Sequence, residues 1–597
     1  GRAAAQSRMP GITMMSVRLA HTAQQQMFCY QCEQTRGGVG CSTKGICGKT
    51  SVTSNLQDLL VYATAGIAQL ANSCVKKDIK ISPEVNNFIL TSIFSTITNV
   101  NFDEKRIHKY LQDAASHQKL LRDIYISAVG SLDDIKDGPA KLEIPKEMKE
   151  LESLGRKYGV VGRKNQLGDE DRHSLQELCL YGVKGAIAYL DHAERIRALH
   201  PEAYSQGQSD ALFVSLYSIL DRIFDPSDAL GELVGLAMEV GAFNGQVMAT
   251  LDGAHAVTFG ISVPTTVSTI PKEGPAIVVS GHDMVDLLHV LEQTEGTGVN
   301  VYTHGEMLPA HGYPRLAAFP HLVGHFGQAW MKQRKDFVNF PGAIVMTSNC
   351  ILEPDSSYAS RIFTTNATGV HNVKHIEDYD FSAVVEVAKS CPGFTNGGAI
   401  LKSSSAASSF QTGYSQSFAD TDAATSELAQ AVLQGKLTNV FVVGGCDGTE
   451  GQRNYFTHFG EELPDQAVIL TLGCGKFRLN HLPIAQQTLE GTNVPRVIDV
   501  GQCNDAYGAV RMAASLATAL GTTIDKLPLH FALSWFEQKA VAVLLTLLHL
   551  GVKGIRLGPN LPGFITPNIL KALVEAFEIA PVADHARDDI KKMTQKA

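Results

Sequence analysis

Six short β-branched runs, AIVVSGHD, VNVYTHGEM, AIVMTSNC, NVFVVGGCDG, VILTLGCG and RVIDVGQC, each lead to a side chain able to bind a metal. In order these side chains are His282, Glu306, Cys350, Cys446, Cys474 and Cys503, and Glu537 follows a seventh run, HFALSWFE. Helix-forming segments separate the runs, which predicts α/β units. Ligands of open α/β sheets bind beyond the carboxyl ends of the strands, so ligand-type residues recurring there predict one shared site. Taken singly, each has a simpler reading: a buried Cys packs as a small hydrophobe, and a His or Glu at a strand end is hydrogen-bonded structure. The recurrence in one position decides for the set. Thiolates hold iron and sulfide, whereas a His and two carboxylates bind harder and leave an iron labile or open to a small substrate.

A second group opens the chain. Cys29, Cys32, Cys41 and Cys47 fall in FCYQCEQTRGGVGCSTKGICGKT with spacing Cys-x2-Cys-x8-Cys-x5-Cys. Glycines in that loop let a short backbone turn its sulfurs toward one centre. Four thiolates suit zinc or an iron–sulfur cluster, and the uneven third and fourth spacings favour the cluster. A disulfide framework is disfavoured, because the other seven cysteines are scattered through 597 residues. Cys74 and Cys179 fall on apolar helix faces and read as packing, while Cys391 has no partner motif. Lys539, two residues beyond Glu537, is a proton donor or a buried counter-ion. His304 and His311 either deliver protons or satisfy loop carbonyls. No GxGxxG or GxxxxGK[ST] pattern follows a strand, so no nucleotide site is expected.

Apolar residues recur at helical spacing from about 55 to 250, and a polar stretch at 133–172 is expected to divide these helices into two groups. After the PKEG turn at 271–274 the α/β rhythm begins, and a Gly- and Ser-rich interval at 393–417 marks the expected passage to a second α/β unit. The fold class is thus multidomain α + α/β, a helical bundle followed by two Rossmann-like domains. The expected divisions are an extension at 1–26, a helical domain at 27–258, a central α/β domain at 259–395 and a C-terminal one at 396–597. A net charge of −9 gives no reason to expect nucleic acid. The most apolar stretch, 540–552, is shorter than the ~20 residues a membrane span needs. The first 32 residues hold no Asp or Glu but include Arg2, Arg8 and Arg18. That composition suits a plastid- or mitochondrion-type transit segment, or else a flexible tail or expression remnant on a cytoplasmic protein.

The motifs FCYQCEQT, SGHDMVDL, NVYTHGEMLPAHGYP, GAIVMTSNCI, RIFTT, VVGGCDG, LGCGKFR, GQCNDAYGA, SWFEQKAVAVLL and GIRLGPNLP occur in one order. From Phe28 to about Pro581 the chain resembles the hybrid cluster proteins, also called prismane proteins or hydroxylamine reductases, of the [4Fe–4S] class. The resemblance implies a [4Fe–4S] cluster on Cys29, Cys32, Cys41 and Cys47. It implies a hybrid cluster of the [4Fe–2S–2O] type on His282, Glu306, Cys350, Cys446, Cys474, Cys503 and Glu537, with Cys446 at the family's persulfide position. The loop between Cys474 and Cys503 looks lengthened against the family pattern.

What the resemblance implies is reduction of hydroxylamine to ammonia and water, of nitric oxide to nitrous oxide, or both. Glu306, Glu537, His282 and Lys539 are the candidates for opening a coordination position and delivering protons. The electron donor would be a ferredoxin or an NADH-dependent flavoprotein reductase. One rival is a carbon monoxide dehydrogenase, which shares a related scaffold but needs a further cysteine motif not seen in this sequence. The other is a nitrosative-stress sensor or protein trans-nitrosylase acting through Cys446.

Overall fold

Eight helices open the chain: α1 Ser51–Val75, α2 Pro83–Ser95, α3 Glu104–Val129, α4 Met148–Tyr158, α5 Val160–Leu167, α6 Glu170–Leu199, α7 Gln206–Ile223 and α8 Leu230–Phe259. The computed structural model describes residues 27–35, 39–225, 229–395 and 407–595. The N-terminal extension, and residues 396–406 of the Gly- and Ser-rich interval, lie outside the described residues. Side-chain caps start several helices where the sequence supplies them. Thr50 accepts from the Thr53 amide, Asp103 from Lys105 and Arg106, Asp169 from Asp171 and Arg172, and Ser205 from Gln208. The polar stretch at 133–172 is no simple divider, since it contains α4 and α5. Its charges conceal a helical period that buries Leu151, Val160 and Arg163, and the last pairs with Glu177 of α6.

Two parallel sheets follow, each of six strands among the described residues. The first contains β2 Ala276–Ser280, β3 Asn300–His304, β4 Leu322–His325, β5 Ala343–Met346, β6 Ile362–Thr364 and β7 Lys374–His375, in the order β4-β3-β2-β5-β6-β7. The second contains β9 Asn439–Gly445, β10 Ala467–Leu472, β11 Val497–Gly501, β12 Leu529–Ser534, β13 Arg556–Gly558 and β14 Ala580–Pro581, in the order β11-β10-β9-β12-β13-β14. Both orders reverse direction beside the first strand, the arrangement that opens a crevice at the carboxyl ends. β2, β3, β5 and β10 are buried at every position, as strands covered on both faces must be. Two remaining strands, β1 Thr265–Ser268 and β8 Ser409–Thr412, the latter within the Gly- and Ser-rich interval, pair antiparallel.

The helix Gln538–His549 ties the second sheet to the helical region. It is the sequence's most apolar stretch, and it is apolar because other helices surround it rather than lipid. Glycines make the approach possible. A Cβ at Gly182 would stand 2.5 Å from Leu545 Cδ1, one at Gly185 2.4 Å from the Gln538 carbonyl oxygen, and one at Gly241 2.2 Å from the Leu545 carbonyl oxygen. The polar residue within it is satisfied: Thr546 Oγ1 donates to the Gly241 carbonyl at 2.9 Å and accepts from Asn244 Nδ2 at 2.9 Å. Among the described residues no helix is long and apolar enough to cross a membrane.

Gly185→Val forces α6 away from this helix and is expected to cost about 1–3 kcal/mol of apparent stability, read as a lowered thermal midpoint. Gly207→Ala, on α7 with open space around it, should leave that midpoint unchanged or slightly raised.

Candidate metal centre

Backbone turns at the strand ends aim the donors. Gly281 (φ 101°) separates β2 from His282, Gly305 (φ 57°) precedes Glu306, and Gly473 (φ 68°) precedes Cys474. β9 ends at Gly445 (φ 107°), next to Cys446, and β11 ends at Gly501 (φ 141°), two residues before Cys503. Cys350, beyond β5, itself adopts φ 78°, a left-handed conformation uncommon for a residue with a Cβ. Glu537 leaves β12 and caps the helix Gln538–His549, its carboxylate accepting from the Lys539 amide at 3.1 Å.

The two crevices face each other, and donors from both sheets meet. His282, Glu306 and Cys503 place one ligand atom each within 4.8 Å of one another. His282 Nε2 is 3.9 Å from Glu306 Oε2, which accepts from the Cys503 amide at 3.0 Å. Ser348 Oγ accepts from the His282 amide at 2.8 Å and lies 3.0 Å from Nδ1, so the ring's other nitrogen faces the site. Glu306 Oε1 is buried and has no hydrogen-bond partner. Lys539 is fully buried, and its ammonium donates to Asn349 Oδ1 and Asn504 Oδ1 at 3.1 Å each, with the Phe94 and Tyr189 rings beneath it.

Burial sets the electrostatics. It raises the carboxyl pKa values of Glu306 and Glu537 above their ordinary range, against the opposing charges of Lys476 and Lys539. It pushes the thiols of Cys350, Cys446, Cys474 and Cys503 upward, and the neighbouring negative groups push them further. Burial, with the positive charge of Lys539 next in importance, holds His282 well below its usual value and therefore neutral. Neutral imidazole is the form that ligates a metal. A dry pocket that disfavours bare carboxylate and thiolate needs a cation to neutralise them, and the oxygen without a partner marks where one would bind.

Of the other histidines in these motifs, His304 lies between Ser280 Oγ (2.9 Å) and Asp336 Oδ2 (3.3 Å), and His311 Nε2 is 3.0 Å from Thr303 Oγ1. His311 also bonds the backbone at Gly324, in β4. Cys74 and Cys179 are buried in the helical core.

The N-terminal cysteines occupy a small loop in which Cys29 and Cys41 exchange backbone hydrogen bonds of 3.0 and 2.8 Å. Lys49 Nζ comes within 4.0 Å of Cys29 Sγ. Both neighbours of Cys32 are fastened to the neighbours of Glu537. Gln538 Nε2 donates to Gln31 Oε1 at 2.9 Å, and the Glu33 amide donates to the Phe536 carbonyl at 3.1 Å. The Glu33 carboxylate forms a wholly buried ion pair with Arg453 and accepts from the amide and side chain of Asn560. Arg453 also donates to Ser534 Oγ and to the Trp535 carbonyl. Sequence reasoning singled out none of Ser348, Asn349, Asn504, Glu33 or Arg453. A signal existed for three of them, since Asn349 precedes Cys350, Asn504 follows Cys503 and Glu33 follows Cys32.

Against known proteins, residues 27–591 match the model of the prismane/CO dehydrogenase family. The chain belongs to that family. Its relatives include the hydroxylamine reductases of Zymomonas mobilis subsp. mobilis, 42% identical over 95% of this chain and 99% of that one, and of Burkholderia lata, 43% identical over 94% and 98%. A third, from Maridesulfovibrio salexigens, is 42% identical over 94% of this chain and 99% of its own. Among solved structures, carbon monoxide dehydrogenase IV from Carboxydothermus hydrogenoformans shares the fold at a TM-score of 0.52. It is 13% identical, and the match covers 97% of this chain and 93% of that one. Iron–sulfur chemistry is therefore the family's, and the helical region followed by two parallel sheets is its architecture.

Arg453→Met leaves Glu33 as an unpaired buried charge and is expected to cost about 3–5 kcal/mol, measured as a loss of thermal or denaturant midpoint. Adding Glu33→Gln to that variant should restore a large part of the loss.

Proposed function

We propose that this chain reduces small nitrogen oxides at an iron–sulfur–oxygen cluster held by His282, Glu306, Cys350, Cys446, Cys474, Cys503 and Glu537. Electrons would enter through a [4Fe–4S] cluster on Cys29, Cys32, Cys41 and Cys47. The observation that carries the reading is the convergence of His282, Glu306 and Cys503 within 4.8 Å, with one Glu306 oxygen buried and without a partner. The full-length similarity to hydroxylamine reductases supports the substrate class.

Hydroxylamine takes up two electrons and two protons to give ammonia and water. When bound, the cluster supplies the electrons and an iron site open to a small nitrogen or oxygen ligand. The protein's own groups manage the protons. Glu306 and Glu537 would ligate the cluster as carboxylates, and either one, freed from the metal, is an acid placed to protonate the departing oxygen. The Lys539 ammonium, fixed by Asn349 and Asn504, supplies a stationary positive charge at the same place.

A second substrate is favoured by one observation. A cavity of about 580 Å³ reaches Cys446 and Cys503 between walls that include Leu472, Ala506, Ala513, Phe531, Leu544 and Leu557. Apolar walls suit nitric oxide, two molecules of which take two electrons and two protons to give nitrous oxide and water. The ferredoxin or flavoprotein donor would meet the N-terminal loop, where Ser42, Thr43, Lys44 and Ile46 are exposed.

Anaerobically purified protein should carry iron and acid-labile sulfide for two clusters and no nickel. It should reduce hydroxylamine or nitric oxide with a chemical reductant. Glu306→Ala should change the low-temperature EPR spectrum and lower turnover about 10²–10⁴-fold. A total of four irons, an unchanged spectrum in the variant, or nitrosylated partner proteins without ammonia or nitrous oxide would refute the assignment. Narrowing the cavity with Ala513→Phe should lower kcat/KM for nitric oxide about tenfold at unchanged iron content.

A further inference from the structure

Tyr189, on α6, lines the inner end of the apolar cavity beside Cys446 and Cys503. It is fully buried, and its hydroxyl makes no hydrogen bond to the protein. Its position follows from the close packing of α6. Gly182 and Gly185 bring this helix against Gln538–His549, and Tyr189 lies one turn beyond Gly185 on the same face. The ring there sits 5.4 Å from Lys539 Nζ. Burial holds the phenol well above its ordinary pKa, so it keeps its proton.

A buried hydroxyl without a partner is destabilising, and native proteins nearly always supply one. Polar side chains do line the cavity, Ser534 and Thr546 among them, yet none hydrogen-bonds the Tyr189 hydroxyl. A molecule entering the cavity can supply the acceptor. We propose that Tyr189 is a substrate-binding residue, whose O–H donates a hydrogen bond to the oxygen of the nitrogen oxide as it reaches the site from the apolar cavity. Both hydroxylamine and nitric oxide carry such an oxygen, and neither brings bulk that a narrow apolar route would exclude. The phenol orients the substrate and remains protonated throughout. This inference rests on the nitrogen-oxide reading above and names the group that recognises that substrate class.

The test compares the holoprotein with Tyr189→Phe, which keeps the ring and removes the hydroxyl. Tyr181→Phe is the control, because Tyr181 lies on the same helix and its hydroxyl is likewise buried without a partner, but it packs against Tyr30 and Phe564. Iron content and thermal midpoint should be unchanged or higher in Tyr189→Phe, since it removes an unsatisfied group. Its KM for hydroxylamine should rise about tenfold, the worth of one hydrogen bond, with a smaller change in kcat. Infrared spectra of nitric oxide bound to the reduced protein should show the N–O stretch displaced in Tyr189→Phe and not in Tyr181→Phe. An unmoved stretch overturns the role of Tyr189 even if the wild type turns over neither substrate, a result that would count separately against the proposed activity. A lowered thermal midpoint, or an equal KM change in both variants, would also overturn it by assigning the hydroxyl a structural part.

Discussion

A buried interior that gathers the Glu306 carboxyl, the Cys503 thiol and the His282 imidazole within 4.8 Å is the constraint around which the rest of this molecule is arranged. Burial acts against the charged form of Glu306, Glu537 and the four cysteines, and it also keeps His282 neutral. Such a collection is unfavourable unless positive charge is brought to it. The protein brings part of that charge itself. Lys539 enters from the helix following β12 and Lys476 from the turn following β10. Each is held by fixed acceptors, Asn349 and Asn504 for the first, Asp499 and the Gly501 carbonyl for the second. The donor types left over are those that hold iron.

The two sheets make this gathering possible because each changes direction at its first strand, and loops from neighbouring strands diverge there. Of the seven proposed donors, three follow strands of the first sheet and four follow strands of the second. The helical region packs beside them, with α6 contributing the Tyr189 ring and α2 the Phe94 ring next to Lys539. The glycines that let α6 lie against Gln538–His549 belong as much to the centre as the residues that touch it.

Much of this was legible in the sequence. β-branched runs announced β2, β3, β5, β9, β10 and β11, since a strand buried on both faces is apolar along its length, and the run HFALSWFE marked the half-buried β12. The short outer strands β6, β7, β13 and β14 carried too few residues to show a pattern. The helices α4 and α5 were hidden by lysines and glutamates that cover a narrow apolar stripe. Within the centre, residue types at strand ends could be read directly. Their supports could not, because the partners of Glu33 lie more than four hundred residues further on, at Arg453 and Asn560. Tyr189 resembles any other aromatic on an amphipathic helix until the arrangement of three helices is known.

The fastening of Gln31 and Glu33 to Phe536, Gln538 and Asn560 also has a temporal meaning. A ribosome releases Cys32 long before the groups that hold its two flanks, which lie 507 and 527 residues further along. The cysteine loop acquires its final surroundings only after that whole stretch has been made. Maturation of this loop is thus tied to a much later part of its own synthesis, and a product cut short before Gln538 and Asn560 would lack the means to finish it.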